Sequence, residues 1–364
     1  MTPRNGLWRW RGRIKKGAAA VIARVGVPAL RRNGHSYRPL VLGYHRVVED
    51  FDAASATDMP SMLISAAMFE RHLDLIGRHF RFADLDEIGE RIRTGEPFES
   101  PVAAVTFDDG YQDVCDHALP ILKRKGIPAA AFVVTDLVGR AGWQTHDKLY
   151  HLVEKAFSRW TDPRSRLERV LSDLGLPASS ILRDPGATQS PLLAVSALLP
   201  KLSRMDTLKV MNRLEWLVGN GFVGIPKTMS WAALSSMQRD GFIVGSHTRT
   251  HVSLPMESPD SAVDELVESK RILEAHLGTT IDHFAYPGGQ FTPSVVEAIE
   301  QSGYRYAYTA CPHGDPRYPS LTIERLLLWE RSSIDPDGRF CPAILECQAR
   351  QLWPPARVCH RAHA

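Results

Sequence analysis

Residues 102–110 read Val-Ala-Ala-Val-Thr-Phe-Asp-Asp-Gly. The small and β-branched residues predict a fully buried strand, and the glycine lets the chain turn after it. At its carboxyl end two adjacent carboxylates, Asp108 and Asp109, repel each other, which is tolerable when one binds a cation or when unlike protonation states are useful. The alternative is a helix cap, in which Asp109 or Asp113 caps the helix that follows.

The chain on either side of this stretch alternates predicted strands with segments of helical period. The predicted strands are Leu40–Gly43, Val102–Phe107, Ala129–Val134, Phe242–Gly245, Asp282–Tyr286, Tyr306–Thr309 and Leu326–Leu328. This βα alternation predicts a parallel sheet or barrel. Active sites in such folds lie at the carboxyl ends of the strands, where the two acids fall.

Four segments make up the predicted domain organisation. A basic arm covers residues 1–38, one domain covers 39–330, and a tail covers 331–364. Within the domain, residues 142–227 are charged, helical and poor in strands, so we interpret them as a helical insertion. Such an insertion is expected to form a lid or a substrate wall, or to be a structural elaboration only.

The charge of the chain is concentrated at one end. Of the 44 Lys and Arg residues, ten lie in residues 1–38, which contain no acid, leaving 34 basic against 41 acidic residues elsewhere. Two interpretations of this arm stay open, a basic segment lying on an anionic membrane and a disordered tail. Nucleic acid is not expected as a partner, because no recognition motif accompanies the charge.

The sequence also favours a particular compartment. The apolar run at 17–23 is interrupted by Arg24 and lacks a convincing cleavage site, so we do not expect a signal peptide. Five cysteines, without a Cys-x-x-Cys spacing, indicate a reducing environment. We therefore expect a cytoplasmic protein, with peripheral association at the inner face of the membrane as a possibility offered by the arm.

A second motif follows another predicted strand. His247 and His251 come directly after Phe242–Gly245, at a spacing that turns both imidazoles the same way and lets them share one ion. Taken alone, the spacing favours two unrelated surface histidines over a metal site, and the position of both histidines after an apolar strand is what favours the metal. One Asp with two His, and water in the remaining positions, is typical of a catalytic metal site, and a neighbouring carboxylate can then act as base.

Three motifs, at 106–110 (TFDDG), 246–251 (SHTRTH) and 284–289 (FAYPGG), together resemble the polysaccharide deacetylases of the NodB-homology type, carbohydrate esterase family 4. The resemblance covers about residues 39–330. It implies an α/β fold, a distorted (β/α)7 barrel of NodB type, here with a helical insertion. It also implies metal-dependent removal of the acetyl group from an N-acetylated sugar in a glycan or glycan precursor.

The resemblance further implies a role for each motif residue. Asp108 corresponds to the catalytic base, and Asp109, His247 and His251 correspond to the metal ligands. The backbone N–H of Gly288 corresponds to a donor to the tetrahedral oxyanion. The expected cofactor is a divalent metal, zinc first, with nickel, cobalt or iron as alternatives.

Two departures from the family pattern matter. Ala285 occupies the position at which many members have an arginine that orients the base, and no late Leu-x-x-His motif supplies a general acid. Residues 42–46, Leu-Gly-Tyr-His-Arg, instead resemble the early Tyr-His motif of the subgroup that deacetylates poly-N-acetylglucosamine. His45 is therefore the candidate acid or oxyanion partner, and Arg325 on the last predicted strand is the candidate replacement for the missing arginine.

Two other functions remain as alternatives. The missing arginine and late histidine are compatible with a non-catalytic carbohydrate-binding relative, although the complete Asp-His-His set argues against it. A cytosolic amidohydrolase of the same fold, acting on a small amide or imide, is the other alternative.

Overall fold

The computed structural model describes residues 31–32, 36–219, 226–311 and 314–352. Seven parallel strands close into a barrel, each paired with the next along the chain and the last paired with the first. These strands are β1 (Leu40–Tyr44), β2 (Val102–Phe107), β3 (Ala129–Val133), β4 (Ile243–Ser246), β5 (His283–Ala285), β6 (Tyr306–Thr309) and β7 (Ile323–Leu327). The predicted (β/α)7 barrel is confirmed.

The predicted strand positions agree with the barrel except at the last strand. This strand was predicted at Leu326–Leu328 but begins at Ile323, because Ile323 and Glu324 already pair with β6. The remaining strands are short and lie outside the closed barrel. They are Arg31–Arg32 paired with Ser36–Tyr37, Arg46–Val48 paired with Leu63–Ser65, and Arg81–Phe82 paired with the start of β2.

Thirteen α-helices occur in the described residues. They are α1 (Phe51–Ser55), α2 (Ala66–Gly77), α3 (Leu85–Thr94), α4 (Leu119–Lys125), α5 (Thr145–Phe157), α6 (Pro163–Asp173), α7 (Ala178–Ile181), α8 (Pro191–Leu198), α9 (Arg204–Val218), α10 (Trp231–Arg239), α11 (Pro259–Leu277), α12 (Pro293–Gln301) and α13 (Pro342–Ala349). A π-helical turn, Val114–Ala118, precedes α4. As predicted, Ser230 caps α10 and Thr292 caps α12 through their side-chain oxygens.

Alternation along the strands separates two layers of the core. On β2, Val102 and Ala104 belong to a cluster drawn from strands all around the barrel, whereas Ala103 and Val105 belong to the layer beneath the helices. Because side chains alternate between the two faces, Thr106 and Asp108 continue the inward-facing series. The strand therefore delivers its first acid into the barrel mouth.

The segment predicted to be an insertion contains helices α5 to α9. Its helices α5 to α9 share a hydrophobic core separate from that of the barrel. Its two ends are hydrogen-bonded together, since the Gly139 N–H donates to the Met229 carbonyl at 2.9 Å and the Thr228 hydroxyl donates to the Leu137 carbonyl at 2.6 Å. The insertion thus leaves and rejoins the barrel at one place.

The two predicted terminal segments are only partly described. Most of the basic arm, residues 1–30 and 33–35, lies outside the described residues, as does the tail from 353 to 364. Within the tail, α13 contributes buried Leu345 and Ala349 to the main core. Among the described helices, none has the length and hydropathy needed to cross a bilayer.

His72 gives the fold a dependence on pH. Its buried imidazole lies 3.2 Å from the Tyr44 hydroxyl and 2.7 Å from the Ser333 hydroxyl. Burial lowers the pKa of His72 to about 3, so protonation below the unfolded-state pKa of about 6.5 favours the unfolded chain. Stability from this residue is therefore present at neutral pH and is lost as the pH falls below about 6.5.

We predict that His72→Gln costs less stability at pH 5 than at pH 7. The wild type loses about 2 kcal/mol through His72 over this range, and glutamine loses none. Urea unfolding at both pH values measures the difference, with exposed His79→Gln as the control. An equal cost for His72→Gln at both pH values would contradict the prediction.

Candidate metal centre and catalytic site

Five barrel strands bring the predicted site residues to one end of the barrel, and His45 directly follows the first of them, β1. Asp108 and Asp109 follow β2 directly, and His247 follows β4. Gly288 lies three residues beyond β5, and Arg325 lies within β7. This is the carboxyl end of the strands, where the sequence predicted the site.

The backbone of the site is held in an uncommon conformation. Among the described residues, four non-glycine residues have positive φ, and three of them are Asp109 (71°), Thr248 (65°) and His251 (60°). Such backbone costs about 1–3 kcal/mol per residue and persists only where the surrounding structure enforces it. Three of these four residues lie in or next to the predicted motifs, which supports a functional site at this place.

Asp109 is buried without a hydrogen-bond donor. Neither of its carboxylate oxygens has a partner. Oδ1 lies 3.3 Å from Nε2 of His251 and 3.6 Å from Nε2 of His247. Burial raises the pKa of Asp109 well above its ordinary value, and the charge of Asp108 raises it further. Because an unpaired buried carboxylate is so unfavourable, this environment fits a bound cation.

The two predicted histidine ligands are suited to bind that cation. Burial lowers the pKa of both His247 and His251, so both are neutral at pH 7 and each offers a lone pair. Nδ1 of His247 donates to the backbone carbonyl of Ala285 at 2.8 Å, which leaves the lone pair on Nε2, facing Asp109. The backbone of Ala285, where many relatives have arginine, thus orients a predicted ligand.

Asp108 forms a bidentate ion pair with Arg325. The two guanidinium nitrogens donate to its two oxygens at 2.7 and 2.8 Å, and one of them also donates to the Thr106 hydroxyl at 3.2 Å. Burial would raise the pKa of Asp108, but the charge and hydrogen bonds of Arg325, together with His247 and His45, lower it to about 2. The structure therefore brings these two side chains together as expected, and their catalytic roles stay predictions.

His45 and Gly288 both lie near the predicted site residues described above. Burial lowers the pKa of His45 to about 4 against the opposing effect of Asp108, whose charge acts on this imidazole. Gly288 has a φ of 62° and lines a cavity together with His251. The candidate acid and the candidate oxyanion donor therefore both adjoin the predicted centre, and their roles also stay predictions.

Sequence reasoning missed His146. This buried residue at the start of α5 places its Nε2 3.7 Å from Oδ2 of Asp109, and Asp109, His146 and His251 offer ligand atoms within 4.8 Å of one another. The adjacent Gln144 donates to the backbone carbonyl of Asp109 at 2.7 Å. No strand ends directly before His146, so the rule that located the other histidines could not find it.

The helix-cap interpretation of the acids is wrong. The side chain of Asp113 makes no capping hydrogen bond at the helix that follows it. It accepts instead from Arg46 at 2.7 Å, and Arg46 also pairs with Asp58 at 3.2 Å. Since neither oxygen of Asp109 has a donor, neither acid serves as a cap.

A cavity of about 300 Å³ opens beside His251 and Gly288. Its walls include Trp143, Leu199 and Leu208 from the insertion. Side chains of the insertion therefore form one wall of the cavity beside the candidate metal centre. His251 lines this cavity, and the carboxylate and imidazole donors of the candidate centre to which it belongs are those that zinc and other first-row divalent metals bind.

Together these features define a parallel α/β barrel with a candidate metal site at its strand ends. A profile of the family described as polysaccharide deacetylase matches residues 95–163 and 201–307. The chain belongs to the polysaccharide deacetylase family, which confirms the resemblance noted from the three motifs.

The matched curated relatives have low sequence identity to this chain, and each alignment covers only part of it. A Staphylococcus aureus poly-beta-1,6-N-acetyl-D-glucosamine N-deacetylase is 27% identical over 118 residues, 30% of this chain and 40% of that protein. The chain spans 36–40% of the length of the first curated relatives it matches. These matches support the family without fixing the substrate.

Solved structures share the fold over most of the chain. The Streptococcus pyogenes deacetylase PplD, solved with acetate, has a TM-score of 0.54 at 16% identity and covers 86% of this chain and 99% of its own. IcaB from Ammonifex degensii has a TM-score of 0.51 at 20% identity, with 86% and 97% covered. At these identities the likeness establishes the barrel fold alone.

We predict that Arg325→Met lowers the free energy of unfolding by about 3–5 kcal/mol, because it leaves the Asp108 carboxylate buried and unpaired. The double variant with Asp108→Asn should be more stable than the sum of the two single losses implies. Urea unfolding of all three variants measures this coupling. Lys123→Met, which breaks the exposed Lys123–Asp240 pair, serves as the control and should change stability by about 1 kcal/mol or less. Strictly additive losses would contradict the proposed coupling.

Proposed function

We propose that this protein is a metal-dependent N-deacetylase that hydrolyses the N-acetyl group of an N-acetylated sugar in a glycan or glycan precursor. The observation that carries the proposal is the pairing of two adjacent acids with opposite surroundings. Asp108 is held ionised by Arg325, whereas Asp109 has no donor and faces histidines. Membership of the family and the named activity of the Staphylococcus aureus relative support the same reaction.

The proposed cofactor is zinc, with nickel, cobalt or iron as alternatives. Asp109, His247 and His251 would hold the ion, since Oδ1 of Asp109 lies 3.3 Å from Nε2 of His251 and 3.6 Å from Nε2 of His247, and the carboxylate has no hydrogen-bond partner. When bound, such an ion supplies a Lewis acid that polarises the acetamide carbonyl and promotes ionisation of water.

The chain supplies the proton transfers and the positioning. Asp108 takes a proton from the attacking water, whose oxygen forms a new bond to the acetamide carbon. The backbone N–H of Gly288 donates to the carbonyl oxygen as negative charge develops on it. His45, neutral at pH 7 with a pKa of about 4, is the proposed N–H donor to the developing oxyanion or, once protonated, the donor of a proton to the sugar nitrogen as the C–N bond breaks, giving acetate and a free amine. Arg325 keeps Asp108 ionised and fixed in orientation.

We predict that Asp108→Asn lowers the rate of acetate release by about 10²–10⁴-fold, the usual contribution of a general base. Release is measured on three compounds: N-acetylglucosamine, a poly-N-acetylglucosamine oligosaccharide and a simple non-sugar amide. Asp116→Asn is the matched control. Asp116 is exposed on the π-helical turn Val114–Ala118, so this substitution should leave the rate unchanged.

The same assay separates the alternative functions. Undiminished release by Asp108→Asn would exclude the proposed base. Glycan binding without acetate release by the wild type would favour the non-catalytic relative. Faster hydrolysis of the non-sugar amide than of either sugar would favour the small-amide hydrolase.

We also propose a cytoplasmic location, with the basic arm bringing the protein to the anionic inner face of the membrane. The ten basic residues and no acids of residues 1–38 support attraction to anionic lipid. Glycan precursors at that surface would then be within reach of the cleft.

Deletion of residues 1–38 is expected to reduce co-flotation with vesicles containing anionic lipid, since it removes ten positive charges. Vesicles of neutral lipid alone provide the control and should bind neither form. Equal flotation of the two forms with anionic vesicles would overturn the proposal.

A further inference from the structure

His146 is a buried imidazole that the proposed reaction does not use. It lies at the first turn of α5, where the insertion begins, and it faces the candidate metal centre. Its ring packs edge-on against the ring of His251 with centroids 5.0 Å apart. A side chain from the insertion therefore stands beside two of the three predicted ligands.

The spacing of the facing atoms suits a shared ion. Two atoms bound to one ion at about 2.1 Å in tetrahedral geometry lie about 3.4 Å apart. Oδ1 of Asp109 is 3.3 and 3.6 Å from Nε2 of His251 and of His247, and Oδ2 is 3.7 Å from Nε2 of His146. The last distance is too long for a hydrogen bond, so Oδ2 stays buried without a partner.

The backbone around His146 is fixed against the same acid. The side-chain amide of Gln144 donates to the Asp109 carbonyl at 2.7 Å. The Tyr111 hydroxyl donates its one hydrogen to Asp147 at 2.7 Å, so the 2.8 Å contact with Nε2 of His146 is donated by that nitrogen in the metal-free protein. An ion bound at Nε2 would replace this hydrogen, so the bond to Tyr111 and the bond to the ion are alternatives at one atom. The imidazole is therefore held within reach of both Tyr111 and Asp109.

The geometry points to His146 as a fourth protein ligand of the metal, supplied by the helical insertion. This inference rests on the metal site of the proposed function. It assigns a three-histidine, one-carboxylate donor set, in which water or substrate enters as a fifth ligand. It also makes the insertion part of the metal site as well as a wall of the cleft.

The rival explanation is that His146 serves only as the hydrogen-bond partner of Tyr111. Two variants separate the explanations. His146→Ala removes both the possible metal bond and the hydrogen bond, whereas Tyr111→Phe removes the hydrogen bond alone. His151→Ala is the matched control, since His151 lies on the same helix and its Nδ1 is directed toward Glu154, 3.9 Å away.

The test measures metal binding and coordination without reference to activity. Zn²⁺ affinity is determined by chelator competition, and X-ray absorption of the zinc-loaded full chain counts its imidazole ligands. We expect three imidazoles in the wild type and two in His146→Ala, with zinc affinity reduced about 10-fold or more. The control His151→Ala should match the wild type, and Tyr111→Phe should keep three imidazoles.

Two results would overturn the assignment. One is a count of two imidazoles in the wild type, a result that does not depend on whether any variant folds. The other is a zinc affinity of His146→Ala within 2-fold of that of His151→Ala. Either result leaves the proposed deacetylase reaction intact, because that reaction is judged by acetate release from the wild type and from Asp108→Asn.

Discussion

A carboxylate buried without a hydrogen-bond donor is among the least favourable groups that a protein interior contains, and Asp109 is such a group. The surrounding structure is arranged around it. Its own backbone adopts a left-handed conformation, neutral histidines face its oxygens, and Gln144 holds its carbonyl. A divalent cation would convert this unfavourable environment into a stable one, which is the physical basis for the proposed metal site.

The neighbouring acid meets the opposite condition. Asp108 is equally buried, but a permanent cation, Arg325, satisfies both of its oxygens. One acid therefore has a pKa of about 2 while the pKa of the other is raised, although the two are adjacent in sequence. Separation of the pKa values of two neighbouring groups by their surroundings is the usual way in which one site obtains two chemical roles.

Much of this arrangement could be predicted from sequence because it depends on local order along strands. Asp108, Asp109, His247 and the Gly288 turn all follow apolar strands, and parallel strands in a barrel place their carboxyl ends together. Arg325 was within reach of prediction because an inward-facing position on the last strand lies beside the first two strands once the barrel closes.

His146 was not predictable in this way. It belongs to an insertion with no strand, so its approach to Asp109 depends on how a helix packs back over the barrel mouth. Periodicity specifies which face of a helix is buried but not which partner it meets. The start of the last strand was also predicted wrongly. Its first two residues pair with β6, but one of them is charged, so the apolar pattern did not indicate a strand there.

The hydrogen bonds that join the two ends of the insertion have a consequence for how proteins with this fold diversify. Because the ends of the insertion are joined through Gly139 with Met229 and through Leu137 with Thr228, the intervening chain can change length or be replaced without moving the strands. Among its described residues, the contacts with Asp109 come from Gln144 and His146 at its start. A recombination event between relatives that preserved these two residues would exchange the cleft wall as a unit, and a new substrate range could arise on an unchanged reaction centre.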